Sequence, residues 1–286
     1  MSELSKDGII DNLSSYFSQR KDIAFAVLFG SFARDETRKW SDLDVAVYFY
    51  PKDCRLELED ETFYEAEEQI WSAIEKLSGF EVDLLVMNRA PARIVYSAVC
   101  EGEVLAINNR KLYLRVLLAS GSLFDEYADF TESYLTIKAR SRSISEIDKD
   151  RLMRIIDFLE TELGDSSQFQ NISYQIYIDD SAMRRNLERW IENLVNTSID
   201  AAKIIVASKK QHIPQTYRES IERLKTMPGF QDNNIDALAR NTTLRNVLAH
   251  EYIDIRFTRI KKFLETAEED YKEFIKVLKR FYSSFY

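Results

Sequence analysis

The sequence predicts an α/β domain followed by an all-α domain, and three observations carry that expectation. Short apolar runs at residues 23–29, 45–48 and 80–87 alternate with helically spaced apolar stripes in the first half, the pattern of a small α/β unit. From Arg151 onward no convincing strand pattern occurs, and apolar residues recur at helical spacing. Glycine and proline together number only 11 in 286 residues, which favours long helices over tight turns.

Taken in order, Leu4 to Gln19 carries Leu4, Ile9, Ile10, Leu13, Tyr16 and Phe17 on a helical stripe. The apolar strand Ile23 to Phe29 stops at Gly30-Ser31, and a second begins after Asp42-Leu43-Asp44. Pro51 to Asp60 is polar and reads as a loop. A helix over Phe63 to Leu77 ends before Gly79, a third strand spans Phe80 to Met87, and Pro91 suits the first turn of a helix ending near Gly102. Lys111 to Leu118 and Leu123 to Thr136 read as two helices closing the first domain. The polar stretch Ala139 to Asp150 marks a boundary, giving domains 1–143 and 144–286.

In the second domain, helices are expected at Arg151 to Leu163, Asp180 to Lys210, Tyr217 to Thr226, Asn234 to about Tyr252, and Phe257 to Phe281. The longest carries Met183, Leu187, Trp190, Ile191, Leu194, Ile199, Ala202 and Ile205 on its apolar stripes. A helix bundle is the natural packing, and spare apolar surface favours a homodimer.

The charge balance is uneven. Residues 1–143 hold 17 Lys+Arg against 25 Asp+Glu, a net of −8, and residues 144–286 hold 22 against 23, a net of −1. Non-specific polyanion binding by the whole molecule is therefore disfavoured, while a local basic cleft in the second half stays open. Cys54 and Cys100 have no metal-ligand spacing. The start MSELSKDGII lacks a signal-peptide pattern, so a cytoplasmic location is expected. No apolar stretch approaches the length needed to cross a bilayer.

Two constellations carry chemistry. In the first, Gly30 lets backbone amides approach a phosphate and Ser31 adds a hydroxyl donor. Ten residues separate that pair from Asp42 and Asp44, which point to one face of a strand and can share a cation. Each piece alone is commonplace at a turn or strand end, and it is the joint spacing that is specific.

Gly30-Ser31, ten residues and Asp42-x-Asp44 resemble the pattern of the polymerase-β-like nucleotidyltransferase superfamily, most closely its minimal (MNT) branch. The resemblance implies a small mixed sheet with helices, a nucleoside triphosphate substrate, ATP here, and Mg²⁺ or Mn²⁺. It also implies a third carboxylate on a later strand, for which Asp83 in FEVDLLVM stands at the expected place. Where the family commonly has Ala-Arg-Gly, this chain has Ala33-Arg34-Asp35, so Arg34 keeps a nucleotide-binding role by resemblance while the loop departs from the pattern.

The second constellation is LRNVLAHEY, Leu244 to Tyr252. Histidine can move a proton near neutrality, and arginine can grip a phosphate with two parallel hydrogen bonds. Next to an RNA phosphate, His250 as acid or base and Arg245 as charge stabiliser would support attack by the 2′-hydroxyl without a metal. Five helical steps place Arg245 and His250 roughly 140° apart, flanking a groove. The plainer reading is a helix-terminal histidine satisfying a carbonyl and an arginine in a surface ion pair.

Arg245, Asn246, His250 and Tyr252 resemble the R-x4-H-x-Y form of HEPN domains of the HepT type, and the likeness extends to the long DSAMRRNLER helix and the Pro214-x-x-Tyr217 step. It implies RNA as substrate, a dimer, and Tyr252 as an acceptor of AMP from the partner nucleotidyltransferase. If the helix ran on, Tyr252 would share the face of Arg245. Arg184, Arg185 and Arg189 form a basic patch for which a solvated helix face is the simpler account.

The first functional expectation is a single-chain MNT–HEPN pair of the toxin–antitoxin kind, adenylylating Tyr252 to restrain a ribonuclease. Its competitors are a small-molecule (aminoglycoside-type) nucleotidyltransferase whose helical domain serves acceptor binding and dimerisation, and a non-catalytic nucleotide-binding module.

Overall fold

A computed structural model describes residues 5–33, 42–53, 55–140, 143–231 and 234–285. The chain divides into two compact units, Met1–Tyr127 and Ala128–Tyr286.

The first unit holds α1 (Lys6–Ser18), β1 (Ile23–Phe29), α2 (Gly30–Ala33), β2 (Leu43–Phe49), α3 (Glu67–Ser78), β3 (Val82–Val86), α4 (Ala92–Glu101), β4 (Glu103–Ile107) and the start of α5 (Arg110–Arg140). Its sheet runs β3-β2-β1-β4, with β2 and β3 parallel and the other pairs antiparallel. Both faces are covered. Leu28, Val45 and Val47 pack with Leu13 and Phe17 of α1 and Ile70 and Ile74 of α3. Phe25, Val27 and Tyr48 pack with Val95 and Val99 of α4 and Leu112 and Val116 of α5. Burial on both faces explains why β1 and β2 read as continuous apolar runs.

The edge strand β4 has no counterpart in the sequence reading. It is five residues long, and Val104 and Ile107 stay 41% exposed, so neither length nor alternation announces it. Gly102 makes it possible: a Cβ there would lie 2.4 Å from the Ala98 carbonyl oxygen and 2.7 Å from that of Leu28. Only a residue without a side chain lets the chain turn back from α4 onto β1.

A buried polar knot ties the 50–66 loop to the sheet. Asn88, fully buried, accepts from Phe49 N at 2.9 Å and donates to Phe49 O at 3.1 Å and to Glu57 Oε2 at 2.9 Å. Tyr48 Oη donates to Glu57 O and accepts from Glu57 N.

The second unit contains the rest of α5, then α6 (Glu146–Gly164), α7 (Tyr174–Asp179), α8 (Ser181–Ser208), α9 (Tyr217–Glu222), α10 (Ile235–Asn241), α11 (Leu244–His250), α12 (Ile253–Leu264) and α13 (Ala267–Ser283). No strand occurs among its described residues. Asp180 starts α8 by accepting from Ala182 N and Met183 N, both at 2.9 Å. From Ser198 to Ser208 nearly every α8 side chain is buried, which makes it the central helix.

Several boundaries differ from expectation; the helix expected from Phe257 to Phe281 is two, α12 and α13, divided at residues 265–266. The helices read at 111–118 and 123–136 are one helix, α5, in which Gly121-Ser122 is an interior step; a lone interior glycine costs about 1 kcal/mol and packing overrides it. The compact units consequently divide within α5, whereas the sequence boundary at 143/144 follows its end. The helix expected from Asn234 to about Tyr252 is broken into α10 and α11, and α12 begins at Ile253. Among the described residues no helix is long and apolar enough to cross a membrane.

Asn88→Ala would strand the backbone N–H and C=O of Phe49 in the interior and remove one donor from the Glu57 carboxylate, which keeps Tyr64 Oη and Lys52 N. The expected loss is about 2–3 kcal/mol of unfolding free energy, read by urea denaturation at unchanged m-value.

Candidate functional site

The first cluster sits where β1 ends and β2 and β3 begin. Phe29 pairs with Asp44 across the antiparallel β1–β2 ladder, and Asp44 pairs with Asp83 across the parallel β2–β3 ladder. Register partners project to the same face, so Asp44 and Asp83 stand side by side, roughly 5 Å apart by strand spacing. Asp42, just before β2 and two residues from Asp44, belongs to that face by alternation. Asp42 and Asp83 are exposed and Asp44 is partly buried.

Gly30 lies against this row. Its φ is +74°, and a Cβ there would fall 1.9 Å from Asp44 Oδ2 and 2.7 Å from its Cγ. Both the left-handed backbone and the close approach demand glycine. Ser31 follows within α2 and is partly buried. Arg34 lies outside the described residues.

Three carboxylates are hard oxygen donors of the kind that hold Mg²⁺ or Mn²⁺, so the chemistry of the set fits such an ion. Among the described residues, no three acidic, histidine or cysteine side chains are arranged closely enough to hold a metal ion. Asp83 has a neighbour the sequence reading passed over. Trp71 of α3, 47% exposed, donates its indole N–H to Val82 O at 2.8 Å and covers the outer edge of β3. A tryptophan on the polar side of an amphipathic helix is the signal that was available.

The second cluster centres on α11, a seven-residue helix that carries both Arg245 and His250. Arg245 is partly buried, with its guanidinium 4.4 Å from the centroid of the Tyr217 ring. His250 is the last residue of the helix, so the chain turns immediately beyond it. Glu251 is buried, and its carbonyl accepts from Arg256 Nε at 2.7 Å; Arg256 Nη1 lies 3.3 Å from Glu188 Oε1 on α8.

Tyr252 does not continue α11. It is extended (φ −74°, ψ 159°), precedes α12 and is 59% exposed. The continued helix that would have put it on the face of Arg245 is absent. Of the arginine patch on α8, Arg184 donates to the carbonyls of Tyr177 and Ile178, both at 3.0 Å, which is a structural use. Arg189 is 72% exposed and 3.5 Å from Glu192, an ordinary solvated pair.

The first unit is a mixed sheet that gathers carboxylates beside a glycine-serine turn, and the second is a helical bundle with an arginine and a histidine on one short helix: an α/β-plus-all-α class of two-domain chain. Comparison with known proteins makes the class specific. Residues 11–111 match the family "Polymerase beta, Nucleotidyltransferase", and residues 159–278 match "Ribonuclease HepT-like". The chain thus joins a polymerase-β-like nucleotidyltransferase domain and a HepT-like HEPN domain in one polypeptide, and is an enzyme of that kind.

The mRNA nuclease HepT of Shewanella oneidensis is 28% identical over 128 residues, covering 45% of this chain and 90% of that protein. A solved structure described as a toxin–antitoxin with AMP-PNP aligns over 46% of this chain and 97% of its own, at 17% identity and a TM-score of 0.36. The nucleotidyltransferase family works on nucleotide substrates with a divalent metal, which agrees with the carboxylate row.

Gly30→Ala is expected to cost about 1–2 kcal/mol for the left-handed alanine alone, and more if Asp44 cannot move aside. Gly30→Ser, with the same Cβ, should match it in thermal denaturation, whereas Gly164→Ala, where the added Cβ meets nothing within 4 Å, should be neutral or stabilising.

Proposed function

We propose that this chain is a self-regulating pair in one polypeptide: an ATP-dependent adenylyltransferase, residues 1–143, that modifies Tyr252 of its own HEPN ribonuclease domain, residues 144–286. The observation that carries the reading is the pairing of Asp44 with Asp83 beside Gly30, in a chain that also matches the HepT-like family. Asp42, Asp44 and Asp83 would hold Mg²⁺ or Mn²⁺, and the ion would supply charge neutralisation at the phosphates. Gly30, Ser31 and Arg34 would seat the triphosphate.

In the transfer, the Tyr252 phenolic oxygen bonds to the α-phosphorus of ATP, the bond from that phosphorus to the bridging oxygen breaks, and pyrophosphate departs. The phenolic proton passes to solvent or to a nearby carboxylate. Solvent exposure of Tyr252 in an extended segment is what an acceptor needs in order to enter another active site. The transfer takes place within one chain or across a homodimer formed by the helical domain.

The ribonuclease role falls to Arg245 and His250. The 2′-hydroxyl of RNA attacks the adjacent phosphorus, His250 moves the proton, and Arg245 neutralises the charge that builds on the phosphate oxygens. An AMP on Tyr252, two residues from His250, places a phosphodiester and its negative charge where an RNA phosphate must approach.

Intact-protein mass spectrometry after incubation with ATP and Mg²⁺ tests the transfer. Wild type is expected to gain mass in steps of one AMP, and Asp42→Ala/Asp44→Ala and Tyr252→Phe to gain none. Wild-type protein that is unmodified beforehand and gains nothing would refute self-modification and point to a diffusible acceptor.

A further inference from the structure

The Pro214-x-x-Tyr217 step stands out in the sequence yet has no part in the reaction so far. Its surroundings give it one. Tyr217 opens α9, is 8% exposed, and lies under the Arg245 guanidinium at 4.4 Å from ring centroid to Cζ. The ring is itself braced by Phe130, whose centroid is 5.4 Å away in an edge-to-face arrangement with an interplanar angle of 82°.

The segment that delivers Tyr217 is held along one stripe of α5. Phe130, Tyr134 and Lys138 recur at intervals of four residues and therefore share a face. Tyr134 Oη donates to Gln211 O at 3.0 Å and His212 O at 3.1 Å, and Lys138 Nζ donates to Gln211 O at 2.9 Å. Burial pushes the Tyr134 phenol up to about 12, so it remains a proton donor throughout the physiological range. From the other side Arg223 donates to His212 O and pairs with Glu219 at 2.7 Å. Pro214 is buried, and Thr216 caps α9 by accepting from Glu219 N at 3.0 Å. Gln211, His212, Pro214 and Thr216 are thus held before the ring is reached.

We infer that Tyr217 is a positioning residue for Arg245: the fixed aromatic face sets the plane of the guanidinium, and so the direction of its N–H edge toward an RNA phosphate. An arginine stacked on a ring keeps its in-plane donors for bidentate contact, whereas a lysine at the same place has no plane to set. The inference rests on the ribonuclease reading for the chemistry, while the stacking can be observed without it.

The experiment uses the full-length chain with two probes, a single-stranded RNA for cleavage and its 2′-O-methyl counterpart, which cannot be cut, for binding. The Arg245 Nε–H resonance, assigned by its loss in Arg245→Lys, reports the stack through the ring current. Tyr217→Phe keeps the ring and should stay within about threefold of wild type in both probes. Tyr217→Leu should lose the ring-current shift and slow cleavage by about tenfold to a hundredfold, mainly in kcat. Arg245→Lys, which retains charge and perturbs no core position, should be as slow as Arg245→Ala, so the inference stays open to refutation should Tyr217→Leu fail to fold.

Wild-type activity in Arg245→Lys, or in a folded Tyr217→Leu, would overturn it. A wild type that cuts no RNA better than His250→Ala would refute the ribonuclease reading. In that case an Arg245 resonance that responds to 2′-O-methyl RNA in wild type but not in Tyr217→Leu would still uphold the positioning role, and the absence of any response would overturn that as well.

Discussion

The first unit depends on a contact too close for any side chain. Gly30 adopts a left-handed backbone directly against the Asp44 carboxylate, with no room for even a methyl group between them. That approach ends β1, turns the chain into α2, and holds a polar turn beside the carboxylate row where β2 and β3 begin. The apolar sandwich on both faces of the sheet supplies the rigidity that keeps two like charges, Asp44 and Asp83, adjacent. A divalent ion held between them would offset their repulsion.

The helical unit reaches a similar end by other means. Its candidate site is a helix of seven residues that starts just before Arg245 and stops at His250. So short a helix has little stability of its own, and its geometry is set by what it packs on. Arg245 lies on Tyr217, Glu251 is buried beyond the helix end, and Arg256 joins the carbonyl of Glu251 to Glu188 on the central helix. The break after His250 also sets the three residues apart: Arg245 and His250 lie on the helix, while Tyr252 falls in an exposed extended step.

Much of this was legible in the sequence because the signals were local. Apolar runs marked β1, β2 and β3; Gly30-Ser31 with Asp42 and Asp44 carried their own spacing; R-x4-H-x-Y needed only nine residues of context. What escaped was set by tertiary contact. The strand β4 exists because Gly102 lets it lie on β1, and nothing in its five residues says so. The Gly121-Ser122 step looked like a helix end and is interior, because packing outweighs a local glycine penalty. The turn between His250 and Tyr252 was masked by apolar spacing that runs on through it. Tyr217 was visible as a motif, but its partner lies 28 residues away, and only the fold brings them together.

If adenylyl transfer by one domain silences the other, the two activities must be measured together. Cleavage of a single-stranded RNA would be followed for wild type and Tyr252→Phe, each before and after treatment with ATP and Mg²⁺, with AMP occupancy read by mass on the same samples. Wild-type cleavage should fall in proportion to occupancy, and Tyr252→Phe cleavage should be unaffected. Full cleavage by a fully modified wild type would contradict the silencing.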